Sequence, residues 1–436
     1  MPRFSLPSVA PRQDAPVWDR AAAAHVLRRV GFGGDETAVT RAVEAGFEST
    51  LAELENRRDH APSLVGPAVE KLVSLGNLVP LQSRWMSLIL GDGAPLLERV
   101  TLMWHGHFAT SNAKLGDVRM MHVQNELFRS KGLGDFRELF HAVAKDPAML
   151  VWLDGNQNRV GAPNENFARE VMELFGLGIQ GGYTEKDIQE AARAFSGWSV
   201  AGRAFEFRAE HHDKGEKKLF GRGGVYSGEQ AIDRVLEHPS CPRWIAWRLL
   251  DTFVKPDPEE ALVQRVADVL VEEKWHIGRT LGRLFRDPVF LSREARRARI
   301  AGPVELVVGL VLATRAEIPP VDAVRAAGVM GQTLFMPPTV KGWDGGRAWI
   351  DPGTWLARHN WLTDFALAKG LDAAAAFGPA KRTGAVDAVC RVLVPEGIDD
   401  SMRAALQSAA DSAHSDGHAL HKVAALVITS PEYHLV

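Results

Sequence analysis

Apolar residues recur at three- and four-residue spacing along most of this chain, the period of helices that bury one face. From Trp18 the pattern predicts a helix that opens on an Asp19 cap and stops at Gly31-Phe32-Gly33-Gly34. Asp35-Glu36-Thr37 supplies the cap and first-turn acids of the next. Further helical runs cover about 37–45, 47–56, 80–91, 96–109, 117–131 and 135–145. The period returns at 228–238, 240–254, 258–272 and 276–286. Pro303 suits a helix N1 position and opens Val304 to Leu312, apolar on most faces and therefore central. Residues 354–436 read as helical again, with a strongly helix-forming alanine run at 372–377.

One stretch breaks this rhythm. Between Gly197 and Gly224, Trp198, Val200, Phe205 and Phe207 stand among polar neighbours in a period of two. Gly202-Arg203 and Asp213-Lys214-Gly215 supply turns, so a hairpin or three-strand insertion is predicted over about 198–224. Asp154-Gly155-Asn156-Gln157-Asn158 is a turn-rich linker, and 336–353 is a loop rich in Pro, Gly and Trp. Residues 1–16 are Pro-rich and polar, the profile of an extended arm. No fixed-period repeat is present. The predicted fold class is mainly α: one large multi-helix globular core over 17–436, with a small β-hairpin insertion and a subdivision open near 225–300.

Composition narrows the function classes. With 46% hydrophobic and 24% charged residues, the 436-residue chain has material for a sizeable core. A formal net charge of -3 gives no global field for nucleic acid or an acidic membrane. The run from Arg293 to Arg299 reads as a solvated helix face rather than a phosphate site. Cys241 and Cys390 are too few and too separated for a disulfide framework or a zinc–thiolate site, although one disulfide between them stays open. A catalytic metal would therefore rest on His, Asp and Glu. No segment approaches the roughly 18 continuous apolar residues that span a bilayer. The N-terminus lacks the apolar stretch of a secretory signal, which points to the cytoplasm. A chain whose signal had been removed would read the same, so export is the alternative.

The most site-like segment is Asn164-Glu165-Asn166-Phe167-Ala168-Arg169-Glu170-Val171-Met172-Glu173. Asn164 can cap a helix reaching Gly176. At about 100° per residue, Glu165, Asn166, Arg169, Glu170 and Glu173 share an arc of about 140°. The rest of the circumference is apolar. Asn166, Glu170 and Glu173 then stack along a narrow polar stripe. One reading is a solvated stripe, with Arg169 paired to Glu165 or Glu173 at i, i+4 for about 0.3–0.5 kcal/mol. The other turns the stripe into a cleft, where two carboxylates can hold a divalent cation or divide acid and base roles.

Other stretches offer donors. His105 and His107 diverge by about 200° on a helix and would chelate together only on a strand. His105 lies on the polar side with Glu98 and Thr101. His211-His212-Asp213 sits at the proposed β turn, able to furnish a ligand or base, or simply to turn. Gly342-Trp343-Asp344-Gly345-Gly346-Arg347-Ala348-Trp349 is neither a P-loop nor a dinucleotide fingerprint. Its tryptophans can stack on a sugar ring or cover a pocket. No Gly-x-Ser-x-Gly or His-Glu-x-x-His occurs, which leaves the common hydrolase triad and the zincin site unsupported.

Several of these stretches, taken in order, resemble a bacterial family known as domain of unknown function 1800. They are Trp104-His105-Gly106-His107-Phe108, Gly161-Ala162-Pro163 running into NENFAREVMELFGLG, and Pro337-Pro338-Thr339-Val340-Lys341-Gly342-Trp343. Tyr183-Thr184-Glu185-Lys186-Asp187, Ser196-Gly197-Trp198 and His212-Asp213-Lys214-Gly215-Glu216-Lys217 agree as well. The resemblance spans nearly the whole chain and implies a helical fold without implying a reaction. It also implies export for many members, and a sulfatase-like partner. This chain differs in lacking a signal, and in carrying Phe175 where members often have a histidine two residues after the second glutamate.

The leading expectation is a metal- or carboxylate-dependent enzyme, a hydrolase by preference, with its site between helices. Glu170 and Glu173 are its acid/base pair or metal ligands, with His105, His107 and Asp213 as further ligands. His212 is the proton-transfer candidate. Arg169, Asn166, Trp343 and Lys217 are the substrate contacts, and the expected cofactor class is a divalent metal. The alternative is a non-catalytic accessory protein that works with a sulfatase-like partner, its polar residues specifying the fold.

Overall fold

In the computed structural model, residues 17–57, 66–91, 93–369 and 371–436 are described. The arm predicted for 1–16 lies outside the described residues. Helices begin where short-range chemistry starts them. Asp19 accepts the Ala22 N–H at 2.8 Å to open Arg20–Val30, and Asp35 accepts that of Ala38 at 2.7 Å to open Glu36–Ala45. Each such cap contributes about 1 kcal/mol by satisfying an otherwise orphaned donor. The chain is mainly α-helical throughout, as the periodicity predicts.

Among the described residues two large hydrophobic cores form, beside a small cluster of Ala23, Ala24, Val39 and Ala42. The first gathers residues from Val26 to Ala295, among them Trp104, Phe108, Phe136, Phe140 and Phe167. The second joins Leu78–Leu90 to Pro303–Thr314, Pro320–Val329 and the C-terminal helices Ala385–Leu393, Asp400–Asp411 and Asp416–Ile428. The two cores interleave along the chain, since the second also takes Phe32, Leu102, Val118 and Met121. Pro303–Thr314 is buried on nearly every face, as its composition requires. Helix Pro95–His107 is shared, giving Val100, Met103 and Trp104 to the first core and Leu102 to the second. Cys241 and Cys390 lie in different cores, and both are free thiols.

The β insertion differs in detail from the prediction. It is two separate antiparallel ribbons, Trp198–Ala201 with Ala204–Phe207 and Lys217–Leu219 with Arg222–Gly224. Gly202-Arg203 turns the first. Asp213-Lys214-Gly215 turns neither, because the second reverses at Phe220-Gly221, both at positive φ. The Arg293–Arg299 run is a series of turns rather than a helix face, and Arg299 pairs inward with Glu305 at 3.1 Å. Among the described residues, no helix is long and apolar enough to cross a membrane.

Candidate functional site

Helix Pro95–His107 carries a polar stripe into the interior. Glu98, 1% exposed, accepts from the Trp85 indole at 2.8 Å and from Arg129 at 2.7 and 3.1 Å. Two turns further along the same face, His105 packs among Trp85, Phe335 and Trp343. Its Nε2 accepts the Phe335 N–H at 2.9 Å, which assigns the ring proton to Nδ1. Burial pushes its pKa down to about 3, so the ring is neutral. His107 turns the other way and bonds the Phe175 carbonyl through Nε2 at 3.0 Å. Burial, then Arg248, holds it well below the usual imidazole range.

The two histidines therefore do not form a chelating pair. They leave on different faces, and each Nε2 is already engaged with backbone. Among the described residues, no group of three His, Cys, Asp or Glu side chains is placed to hold an ion. The metal set expected from His105, His107, Glu170, Glu173 and Asp213 is not assembled.

The acid-rich segment departs from a continuous α-helix. Asn164 caps it by accepting the Asn166 N–H at 2.9 Å, but the α-helix Glu165–Glu170 gives way to a π-helical turn, Val171–Gly176. Wider turns of this kind re-aim side chains and recur at functional sites. The freed terminal carbonyls find donors from elsewhere: Leu174 takes the Trp244 indole at 2.8 Å, and Phe175 takes His107. The 100° wheel therefore fails beyond Glu170, and its three stacked residues separate. Asn166 donates to the Leu153 carbonyl at 3.1 Å and ties down the preceding loop. Glu173 is half-buried, 3.5 Å from Arg169. Arg169 makes its closest contacts across to Glu185, at 2.7 and 2.8 Å, with Glu165 at 3.4 Å.

Glu170 is different. It is 8% exposed, and among the described residues no hydrogen bond or ion pair reaches its carboxyl. Burial and then the neighbouring Glu173 push its pKa above the usual range, opposed by the positive charges of Arg169 and Lys341.

Lys341 arrives on the 337–343 loop, which docks on the end of helix Pro95–His107. Gly342 holds φ +84°, and a Cβ there would stand 2.3 Å from the Gly106 carbonyl oxygen. Only glycine permits that approach. Trp343 follows, edge-on to His105 with ring centroids 5.4 Å apart. Three distant stretches thus meet: the His105–His107 helix end, the Glu170 turn and the Lys341 loop. Sequence reasoning missed Lys341, Gly106 and Gly342 as site residues. Their signal was the glycine flanked by lysine and tryptophan.

The other candidates serve different contacts. His212 bonds the Ser196 carbonyl through Nδ1 at 2.8 Å, and Asp213 pairs with Arg193 at 2.8 Å. Lys217, 2% exposed, donates to the carbonyls of Asp213 at 2.5 Å and Gly215 at 3.0 Å. These three fasten the β ribbons to Glu185–Phe195 and are not tied to Glu170 by any described contact. Trp349 is buried, and Trp343 lies against His105. A cavity of about 350 Å³, lined by Leu27, Asp35, Arg41, Thr50, Val311 and Arg315, contains none of the candidates.

The family described as "Protein of unknown function (DUF1800)" matches residues 25–435, a span that includes every residue of this meeting point. The chain belongs to the DUF1800 family. No curated protein and no solved structure matches it. The DUF1800 match thus covers both cores, and it brings no assigned reaction to any residue.

Proposed function

We propose that this DUF1800 protein is a carboxylate-dependent enzyme, a hydrolase by class, with Glu170 as its general acid. The observation that carries the reading is a buried carboxyl without a partner, its pKa raised, at the meeting of three separate stretches. A general acid works best when its pKa lies near the operating pH, and burial beside a second carboxylate moves a glutamate that way. Glu173, beside Arg169 and more open to water, takes the complementary role of base or charge stabiliser. Lys341 is placed to bind an anionic or developing negative charge on the substrate.

The test is turnover of chromogenic ester, glycoside and phosphoester panels by wild type, Glu170→Gln and Glu173→Gln. For any substrate turned over, Glu170→Gln is expected to lose about 10²–10⁴-fold in kcat. It should also remove the basic limb of the pH–rate profile. Absence of turnover throughout, or an unchanged rate in Glu170→Gln, overturns the proposal.

A second reading draws on the structural ties made by Asn166, His105, His107 and Lys217. In it the same residues specify the fold of a non-catalytic protein that works with a partner, the sulfatase-like one implied by the family resemblance. Stable co-purification with such a partner, independent of Glu170, would favour it. Metal content at background in the purified protein would agree with either reading and would exclude the expected metal-dependent one.

A further inference from the structure

The cavity of about 350 Å³ lies where three hydrophobic clusters stop short of one another. Leu54 belongs to the first core, Val311 to the second and Ala42 to the small cluster, and all three line it. The half-buried Leu27, Leu90 and Leu312 line it as well, so its wall is apolar over several helices. Small residues keep the space open. Ala38 and Ala42 stand one turn apart on helix Glu36–Ala45, and Ala316 follows the end of helix Pro303–Thr314. Longer side chains at these positions would fill it. At about 30 Å³ for a water-sized group, the cavity takes about a dozen non-hydrogen atoms, which puts it at the small end of ligand sites.

The charged groups of the wall do not cancel. Arg315 pairs with Asp35, and Arg57 pairs with Glu53 at 2.5 Å. Arg41 is the fifth charged residue of the wall, and among the described residues no hydrogen bond or ion pair reaches it. Acids close to it along the chain do not take it up. Glu36 pairs with Arg20 and Glu48 with Arg286, while Glu44 neither lines the cavity nor makes an ion pair among the described residues. Three guanidinium groups therefore meet two carboxylates, and the charge left over sits on Arg41. A guanidinium keeps its proton and presents paired N–H donors that match a carboxylate.

We propose that this cavity binds a small free carboxylic acid with an apolar chain of about eight carbons. Its carboxylate meets Arg41, and its chain lies against Leu27, Leu54 and Val311. A two-chain lipid exceeds the volume, so the ligand comes free from solution. Occupancy would tie helices Arg20–Val30, Glu36–Ala45, Phe47–Asn56 and Pro303–Thr314 together through one molecule. The cavity shares no residue with the Glu170 site, and failure here would leave that reading untouched.

Calorimetric titration of the full chain with butanoate, hexanoate and octanoate tests it, with octan-1-ol and octylammonium as the uncharged and cationic comparisons. Each buried methylene is worth about fourfold in affinity, so binding should tighten roughly tenfold for every two carbons added. Octan-1-ol should bind about tenfold more weakly than octanoate or worse, for want of the charged hydrogen bond, and octylammonium should not saturate. Arg41→Gln should bring octanoate down to the level of octan-1-ol, and Ala38→Leu, which fills the space, should abolish both. Arg41 is exposed and Ala38 half-buried, and both replacements suit a helix, so the variants should melt like wild type without ligand. The wild-type series needs neither variant. Octanoate that does not saturate at millimolar concentration, or binds no tighter than butanoate or octylammonium, would overturn the site. So would equal octanoate binding by Arg41→Gln and wild type.

Discussion

Two glycines face each other at the proposed site, and they should respond to the same substitution in opposite ways. Gly342→Ala must place a side chain at φ +84°, a conformation that costs an L-residue about 1–2 kcal/mol. Its Cβ would also meet the Gly106 carbonyl oxygen at 2.3 Å, a backbone atom that cannot swing aside as a flexible side chain can. Relieving such an overlap costs about 1–3 kcal/mol more. The sum, about 2–5 kcal/mol, exceeds what the loop gains from one Trp343–His105 edge contact, worth about 0.5–1.5 kcal/mol. The loop should therefore lift, carrying Lys341 away from Glu170.

Gly106→Ala is the control. Near the end of helix Pro95–His107, a Cβ there meets nothing within 4 Å. Replacing a helical glycine by alanine should then gain about 0.5–1 kcal/mol. Urea unfolding followed by far-UV circular dichroism measures both, and activity on any substrate found should fall in Gly342→Ala alone. A Gly342→Ala protein within about 0.5 kcal/mol of wild type, or a Gly106→Ala protein damaged more than it, would refute the docking argument.

Three other outcomes follow from buried groups. Glu170→Gln should stabilise the protein above the ordinary carboxylate range and converge with wild type in acid: a raised folded pKa means that ionisation opposes folding as pH rises. Destabilisation at neutral pH would show that the carboxylate has partners after all. Asp146 has the same sign and a larger effect. Burial raises its pKa to about 7, against the Met149 N–H and the Gln124 amide that bond it. The stability present below about pH 4 is lost as pH rises through 7, and a three-unit shift is on the order of 4 kcal/mol. Asp146→Asn should flatten that slope in unfolding free energies measured from pH 4 to 8, and an unchanged slope would count against it. Arg129→Met should cost about 3–5 kcal/mol in urea unfolding, because it leaves the buried Glu98 carboxylate with the Trp85 indole and no countercharge. A loss below about 1 kcal/mol would mean that water reaches Glu98.

Much of this protein is written in short-range sequence. Asp19, Asp35 and Asn164 cap the helices they were read as capping, since a cap is decided by bonds spanning two or three residues. Thr184 and Asp187 form a reciprocal capping box that opens Glu185–Phe195, a signature equally local. The apolar period set the mainly helical class, and the buried run after Pro303 announced its own position. The acid-rich segment, too, was singled out from its residues alone.

Tertiary structure decided what those residues do. Helical spacing placed Asn166, Glu170 and Glu173 on one stripe, but the π turn after Glu170 divided them into a loop tie, a buried acid and a half-open carboxylate. That turn ends on donors from Trp244 and His107, both about 70 residues away along the chain. The polar side of the His105 helix is buried, because Trp85, Arg129 and Phe335 arrive from other helices and loops to bond Glu98 and His105. Lys341 and Gly342 stand more than 160 positions beyond Glu170. Local pattern fixes backbone conformation through bonds a few residues long. Burial, and with it the protonation of a carboxyl, is set by which distant segments pack against it.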